Sequence, residues 1–302
     1  MAMPPQTTIL GLGEILWDVF PDGPRFGGAP ANFACSVAGL AGNAVNSGMV
    51  SAVGQDDLGT QALDELRQHG VSTATVARYP QQTGQVLVSL DADGHASYEF
   101  ASDVAWDHLE WSDDIETIVA KADAVCFGTL GQRTPESRTT IQHCLRSVPE
   151  TCLKIFDINL RPPFWSEEVI RESLPLANVL KLNDDELPIL ADIHGFTGTA
   201  EAQLALLVER YSLKFAALTQ GSKGALIIDA NGNTSQQAAP STTVKDTVGA
   251  GDSFTAALAL GLLHGMPLDE INQWAIRVAA FVCSQPGATP SIPEELQLSS
   301  QK

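Results

Sequence analysis

Basic residues are scarce in this chain: 17 Lys and Arg stand against 36 Asp and Glu in 302 residues, a formal charge of −19. So acidic a surface repels phosphate backbones and anionic lipid, which argues against nucleic acid or a membrane as partner. It does not exclude a phosphorylated ligand, because a local pocket can be electropositive and Mg²⁺ can carry the compensation. Its plainer consequence is solubility. No apolar run approaches the ~20 residues of a membrane span. The first residues, Met1 to Thr8, have neither the basic nor the apolar region of a signal peptide, so a cytoplasmic protein is expected. The five cysteines, Cys35, Cys126, Cys144, Cys152 and Cys283, form no C-x-x-C pair. Free, buried thiols in a reducing compartment are the expectation.

Several catalytic signatures are missing as well. There is no G-x-x-x-x-G-K-[ST], which excludes a P-loop enzyme. Gly11-Leu12-Gly13 begins like a dinucleotide fingerprint, but Leu16 stands where the third glycine belongs. Neither H-E-x-x-H nor G-x-S-x-G occurs. The six histidines are scattered, and no internal repeat or low-complexity linker interrupts the chain.

What is present is an ordinary globular composition, 44% hydrophobic and 18% charged, enough for a sizeable core. Short β-type runs alternate with helical patterns, which predicts an α/β fold with a mostly parallel sheet. Strands are expected at Ile9–Leu12, Ala44–Val53, Ala124–Phe127, Leu153–Ile158, Val179–Leu182, Phe215–Thr219 and Ala225–Ile228. Helices are expected at Ala31–Leu40, Leu58–His69, Pro135–Ser147, Ala200–Tyr211, Ala250–His264 and Leu268–Ser284, with Thr134 as N-cap before Pro135. One stretch breaks the alternation. Gly84–Leu90, a turn at Asp91–Gly94 and His95–Phe100 read as a hairpin, and Leu16–Phe20 as another extended piece. Together they predict a small β-sheet lid, from about residues 15–28 and 83–103, over one domain spanning 1–302; a lid suits a reaction that must exclude water.

The strongest chemical signal is Asp246-Thr247-Val248-Gly249-Ala250-Gly251-Asp252-Ser253-Phe254, with a strand-like segment before it, Thr242–Lys245, and a helix after it. Gly249, Ala250 and Gly251 let a ligand approach the backbone, and the helix start offers free N–H groups and the positive end of a dipole. That makes an anion hole for charge on a transferred phosphoryl group, with Asp252 beside it to accept a hydroxyl proton. The competing reading is an acidic first turn that merely complements the dipole.

Three further clusters follow the same pattern of strand, turn and helix. Gly27-Gly28-Ala29-Pro30-Ala31-Asn32 offers close approach at Gly28 and mixed donor and acceptor chemistry at Asn32, which sugar hydroxyls need. Upstream, Asp18 could accept two hydroxyl hydrogen bonds; a tight turn and a solvated Asp is the alternative. Lys181-Leu182-Asn183-Asp184-Asp185-Glu186 places Asn183 at a strand end and Glu186 in a first helical turn, where it could hold Mg²⁺ through water or simply complement the dipole. Thr219, Gly221, Ser222 and Gly224 follow another strand and could line a nucleotide, or form a hairpin turn.

Together these clusters resemble, in order and over about Ile9 to Pro293, the ribokinase-like or PfkB family of carbohydrate kinases. Asp246 to Phe254 resembles its C-terminal signature, Gly27 to Asn32 its glycine signature, and Asn183 with Glu186 its N-x-x-E motif. The resemblance implies a three-layer α/β/α fold with a β lid and an ATP-dependent sugar kinase. It implies Asp252 as base, Gly249 to Gly251 as anion hole, Thr219, Gly221 and Gly224 along ATP, and Asp18, Gly28 and Asn32 on the sugar, with Phe100 on the lid. It also implies a monovalent cation, K⁺, at Asp246, Val248, Val282, Gln285, Gly287 and Ser291, mostly through carbonyls. Members often carry Asn or His near the adenine where this chain has Ile276, so apolar contact is expected there and nucleotide preference is less determined.

Within the family, Gly27–Asn32, Val104–Asp107, Cys126–Arg133 and Asp157–Arg161 look most like bacterial fructokinases. Asn159 and Arg161 follow a strand and could reach the sugar or phosphate side; Gln132 and Arg133 could extend the sugar site or be surface polar residues. Fructose is the expected substrate, phosphorylated on a primary hydroxyl. 2-Keto-3-deoxygluconate, whose carboxylate would want Arg161 or Arg133, and ribose are the alternatives, as is a non-catalytic sugar-binding regulator. A lid with an exposed strand edge invites pairing, so a homodimer is expected.

Overall fold

The computed structural model describes residues 6–90 and 96–301. Thirteen strands occur among them: β1 Thr7–Leu12, β2 Leu16–Phe20, β3 Gly23–Gly27, β4 Val45–Gly54, β5 Ser72–Tyr79, β6 Gly84–Leu90 and β7 Ala96–Phe100. They continue with β8 Ala124–Phe127, β9 Leu153–Asp157, β10 Val179–Asn183, β11 Phe215–Thr219, β12 Ala225–Asp229 and β13 Thr234–Gln237. The α-helices are α1 Ala29–Ala41, α2 Asp57–Gln68, α3 Asp113–Val119, α4 Pro135–Ser147 and α5 Glu167–Ser173. The rest are α6 Glu186–His194, α7 Ala200–Tyr211, α8 Ala250–Leu263 and α9 Leu268–Cys283.

Nine strands form the main sheet in the order β13-β12-β11-β10-β9-β8-β1-β4-β5. The seven from β11 to β5 run parallel, and β12 and β13 are added antiparallel at one edge. The central strands bury both faces, as parallel strands under helical crossovers do. Alternation assigns each side chain to a layer. Val125 and Phe127 of β8, Phe156 of β9 and Leu180 and Leu182 of β10 pack with Ile141, Ile170, Leu190 and Leu204 from α4, α5, α6 and α7. Ala124, Cys126, Leu153, Ile155 and Val179 pack instead with Phe33 of α1, Phe254 and Leu258 of α8 and Trp274 of α9. The layers are therefore helix, sheet, helix, as expected.

The small sheet has the order β3-β2-β6-β7. Strands β6 and β7 are antiparallel, with Val86 opposite Phe100, so the hairpin is present; its expected turn, Asp91–Gly94, and His95 lie outside the described residues. Within the lid stretch of about residues 15–28, Leu16–Phe20 is joined by a second strand, β3, held extended by five residues of pairing with β2. Edge strands β5 and β13 and the seven-residue helices α3 and α5 were missed, being short or half exposed.

One local expectation needs correction. Thr242–Lys245 is not a strand; Lys245 N donates instead to Cys283 O at 2.8 Å. Thr134 is the N-cap of α4 with Pro135 after it, as expected, and its hydroxyl, which makes no cap bond, donates to Asp107 O at 2.6 Å. Four of the five free cysteines are buried and Cys283 is half-buried. No helix among the described residues is long and apolar enough to cross a membrane.

Candidate active site

The segments picked out in the sequence meet beyond the carboxyl ends of the parallel strands, where open α/β sheets bind ligands. Glu14 and Asp18 follow β1, Asn159 and Arg161 follow β9, Asn183 ends β10 and Glu186 begins α6, and Thr219 ends β11.

Helix α8 supplies the centre. Its N-cap, Gly249, has φ 77°, and a Cβ there would lie 2.7 Å from Ala288 Cα, so only glycine fits. Ser253 N donates back to Gly249 O at 2.9 Å; the N–H groups of Gly251 and Asp252, in the first turn, have no carbonyl within the helix to reach. They face the same end of the helix as the Asp252 carboxylate. Asn32 Nδ2 donates to Asp252 Oδ2 at 2.9 Å, while Asn32 Oδ1 is buried with no partner among the described residues. That amide therefore orients the carboxylate and keeps an acceptor in hand for a ligand hydroxyl. Burial first, then Asp157, push the Asp252 carboxyl up to about 6; the Asn32 bond, Lys181 and Arg161 oppose the rise.

Two more carboxyls share this region. Asp18 on β2 is pushed up to about 6 by burial, with Arg161 opposing. Glu14 is 2% exposed and is pushed up to about 7, chiefly by burial and further by Asp252, while Arg161 opposes. Its Oε2 has no partner among the described residues. The sequence places Glu14 at a strand end beside Asp18; nothing in the local pattern signals its burial. Arg161 is exposed, and its Nη1 donates only to Leu160 O at 3.1 Å. It is thus a cation influencing three acids.

Gln132 and Arg133 are spent elsewhere. Gln132 Nε2 donates to Gly128 O and Ser173 Oγ, both at 2.9 Å. Arg133 makes two bonds of 2.7 Å to the Asp107 carboxylate and one of 2.7 Å to Ala101 O. Its guanidinium lies over Trp106, 4.1 Å from the ring centroid. Both side chains are internal, so the surface reading fails, and the Arg133 charge is already neutralised. Phe100 is on β7, its ring 5.1 Å from Phe164.

Asn183 and Glu186 cap their helix reciprocally. Asn183 Oδ1 accepts from Glu186 N at 2.9 Å, and Glu186 Oε2 accepts from Asn183 N at 2.8 Å. Glu186 Oε1 accepts from Leu160 N at 2.8 Å, so this buried carboxylate also ties down the segment that carries Asn159 and Arg161. Among the described residues, no group of three or more His, Cys, Asp or Glu side chains could enclose a metal ion. Thr219 to Gly224 is the tight connection between antiparallel β11 and β12, with Gly221 and Gly224 both at positive φ. Ile276 packs in the core of the α1/α8/α9 layer, 6% exposed.

The two loops expected to hold a cation are joined. Asp246 Oδ1 accepts from Val248 N at 3.0 Å and Oδ2 from Gly287 N at 3.2 Å. The chain on either side of Val282, Gln285 and Ser291 is thereby held against Gly249.

Residues 23–295 match the pfkB family of carbohydrate kinases. An uncharacterised sugar kinase from Pyrococcus horikoshii is 33% identical over 90% of this chain and 85% of its own. Its crystal structure covers 98% of both chains with a TM-score of 0.83, and its complex with ATP covers 94% of this chain and 95% of that one with a TM-score of 0.79 at 30% identity. A fructokinase from Salmonella typhimurium is 29% identical over 96% of this chain and 97% of its own. A 2-dehydro-3-deoxygluconokinase from Thermotoga maritima, 21% identical, shares the fold with a TM-score of 0.84 over 98% of both chains. On the family match and on the arrangement around Asp252, this chain belongs to the pfkB family of carbohydrate kinases.

Proposed function

We propose that the protein transfers the γ-phosphoryl group of ATP to a primary hydroxyl of a neutral sugar, with D-fructose as substrate and D-fructose 6-phosphate as product. The observation that carries the chemistry is the Asn32–Asp252 bond at the start of α8. A sugar hydroxyl placed against the carboxylate oxygen of Asp252 that Asn32 does not hold gives its proton to Asp252 as its oxygen bonds to phosphorus and the bond to ADP breaks. The N–H groups of Gly249, Ala250 and Gly251, with that of Asp252 beside them, take the charge on the moving phosphoryl oxygens, Ala250 giving up its long 3.4 Å bond to Thr247 O. Asp18, Gly28, Asn32, Asn159 and Arg161 hold the sugar, and Phe100 covers it from the small sheet, which acts as the lid of a single domain. Thr219, Gly221, Ser222 and Gly224 run along the nucleotide with Asn183.

The ATP complex of the Pyrococcus relative supports the nucleotide. Mg²⁺ would ride on the phosphates, with Glu186 reaching its water shell through lone pairs not used by Leu160 and Asn183. K⁺ would sit at Asp246, Val248, Val282, Gln285, Gly287 and Ser291 and order the loop before α8.

Two observations favour fructose over a keto-acid. The Salmonella relative of nearly full length is a fructokinase. Of the two arginines a carboxylated sugar would seek, Arg133 is consumed by Asp107, which leaves Arg161 alone. Ribose is the second reading among neutral sugars. An intact Asp252 and helix start favour an enzyme over a sugar-binding regulator. Five free cysteines suit a cytoplasmic location, and Leu87, 47% exposed on strand β6 of the small sheet, suits a homodimer formed through the lid. The test is ADP release from ATP with fructose, ribose, 2-keto-3-deoxygluconate and nucleosides, under Mg²⁺ and K⁺. Fructose should give the highest kcat/KM; a clear preference for ribose or the keto-acid overturns the substrate, and no turnover with any of them overturns the enzyme.

A further inference from the structure

Beneath the first turn of α8 lies a buried ion pair that the proposed chemistry leaves unused. Lys181 and Asp157 are directly paired across the parallel strands β10 and β9. Both stand on the α8 face of the sheet, by the same alternation that sends Val179 and Ile155 there. Lys181 Nζ is 3.1 Å from Asp157 Oδ1. The other carboxylate oxygen, Oδ2, accepts from Thr255 Oγ1 at 2.8 Å, and that hydroxyl is also 3.0 Å from Gly251 O. The lysine is 6% exposed and the aspartate 5%.

Gly251 leaves room for the lysine beneath it. A Cβ on Gly251 would lie 2.9 Å from Lys181 Nζ. The ammonium therefore sits directly against the backbone of the turn that bears Asp252. It carries three donors and, among the described residues, has a single hydrogen-bond partner, Asp157.

We propose that Lys181 is a positioning residue of the kinase reaction: through Asp157 and Thr255 it holds the first turn of α8, and its ammonium under Gly251 sets the charge that Asp252 works against. This rests on Asp252 as the base. A pair kept only for stability gains little, because the cost of desolvating two charges offsets most of their attraction. A pair kept to steady a neighbouring carboxylate has a use for its uncompensated donors.

The groups that face Asp252 are few. Asp157 from β9 disfavours its ionised form, Lys181 from β10 and Arg161 from the segment after β9 favour it, and Asn32 from α1 hydrogen-bonds to it. Glu14, after β1, repels it, and the Cys126 thiol on β8, held well above its ordinary range by burial, stays neutral beside it. For Lys181, burial favours the neutral amine, but Asp157, Glu186 and Asp252 outweigh it and keep the ammonium charged. The shifts of Glu14 and Asp18 are set first by burial, and the charges that weigh most on them are Arg161 with Asp252 for Glu14 and Arg161 with Asp246 for Asp18. A change at Lys181 or Asp157 reaches Asp252 and, in the same sense, Glu186; Glu186 is tied by both oxygens to the N–H groups of Leu160 and Asn183 and has no proton to take in the proposed reaction, so the acidic limb reads Asp252.

The experiment measures kcat/KM against pH for Lys181→Met, Lys181→Arg and Asp157→Asn, with thermal melts of each. Loss of an opposite charge from the neighbourhood of a carboxylate should move the acidic limb of Lys181→Met up by about one pH unit. Loss of the like charge in Asp157→Asn should move it down by a similar amount, and its amide oxygen can still accept from Thr255. Lys181→Arg should return the limb to the wild-type position even where kcat falls. Should Lys181→Met fail to fold, the downward shift expected of Asp157→Asn, set against the unmoved limb of Lys181→Arg, still decides the matter. Limbs that stay put while melting temperatures drop make the pair structural and overturn the proposal. An Asp252→Asn control separates the two readings. If that control is inactive and the limbs stay put, the inference about Lys181 falls alone; if it keeps its turnover, the base assignment and the inference fall together.

Discussion

Asn32 Nδ2 and Asp252 Oδ2 are 2.9 Å apart across 220 residues of chain. One stands in α1 and the other in α8, two helices that lie on the same face of the main sheet. The contact turns two glycine-rich segments into one site: the amide fixes the carboxylate from one side, while the free N–H groups of the helix start lie on the other. A hydroxyl acceptor, a proton acceptor and an anion hole are then adjacent.

Asp252→Asn tests the base. The amide is nearly isosteric and its oxygen can still accept from Asn32, so the helix start should persist and sugar binding should survive. It cannot take a proton. General-base catalysis contributes about 10²–10⁴-fold, and kcat should fall by that order while sugar Kd changes little. A kcat within about tenfold of wild type would remove Asp252 from the role.

Glu14 makes a prediction about stability and pH. Its folded value is about 7 against an ordinary 4.5. The folded state therefore holds this proton more tightly than the unfolded chain does. Glu14 lends its full contribution below about pH 4.5 and loses it as pH rises towards 7, with on the order of 3 kcal/mol at stake. Glu14→Gln keeps the neutral shape, so it should melt higher than wild type at pH 8 and no higher at pH 4.5. Melts that differ equally at both pH values would show that this carboxyl is not protonated in the fold.

Gly249→Ala should be poorly tolerated. The residue sits at φ 77°, and the added methyl meets Ala288. Strain at such a position costs about 1–3 kcal/mol, and relief by moving the loop would displace the anion hole. We expect a lower melting temperature together with a kcat loss greater than the KM change, measured at saturating ATP and sugar. A variant with wild-type kcat would show that the loop does not need this conformation.

Potassium should raise the rate relative to sodium. The loop before α8 is already tied to the end of α9 through Asp246, Gly287 and Cys283, and a cation among those carbonyls would stiffen it without touching substrate. Rates measured in K⁺, Na⁺ and a bulky organic cation at equal ionic strength decide it; three equal rates would dismiss the site.

The amino-acid sequence by itself determined the layered fold and the line of the site. Apolar runs such as Ala124–Phe127 and Leu153–Ile158 are long enough to bury both faces of a strand, and a buried strand calls for helices on each side. The glycine-rich turn before Phe254, Leu258 and Leu262 declares a helix start with an acid in its first turn. These signals are local, carried by residues a few positions apart. Tertiary structure alone decided how the charges were spent. Arg133 looked available to a substrate and is paired with Asp107, 26 positions away. Lys181 stood in a motif read for metal and is opposite Asp157, 24 positions away. Glu14 looked like any strand-end acid, and its burial comes from segments across the sheet. A carboxyl group titrates, and an arginine is free or bound, according to what surrounds it in space, and those neighbours arrive from distant parts of the chain only when the sheet and its helices close around them.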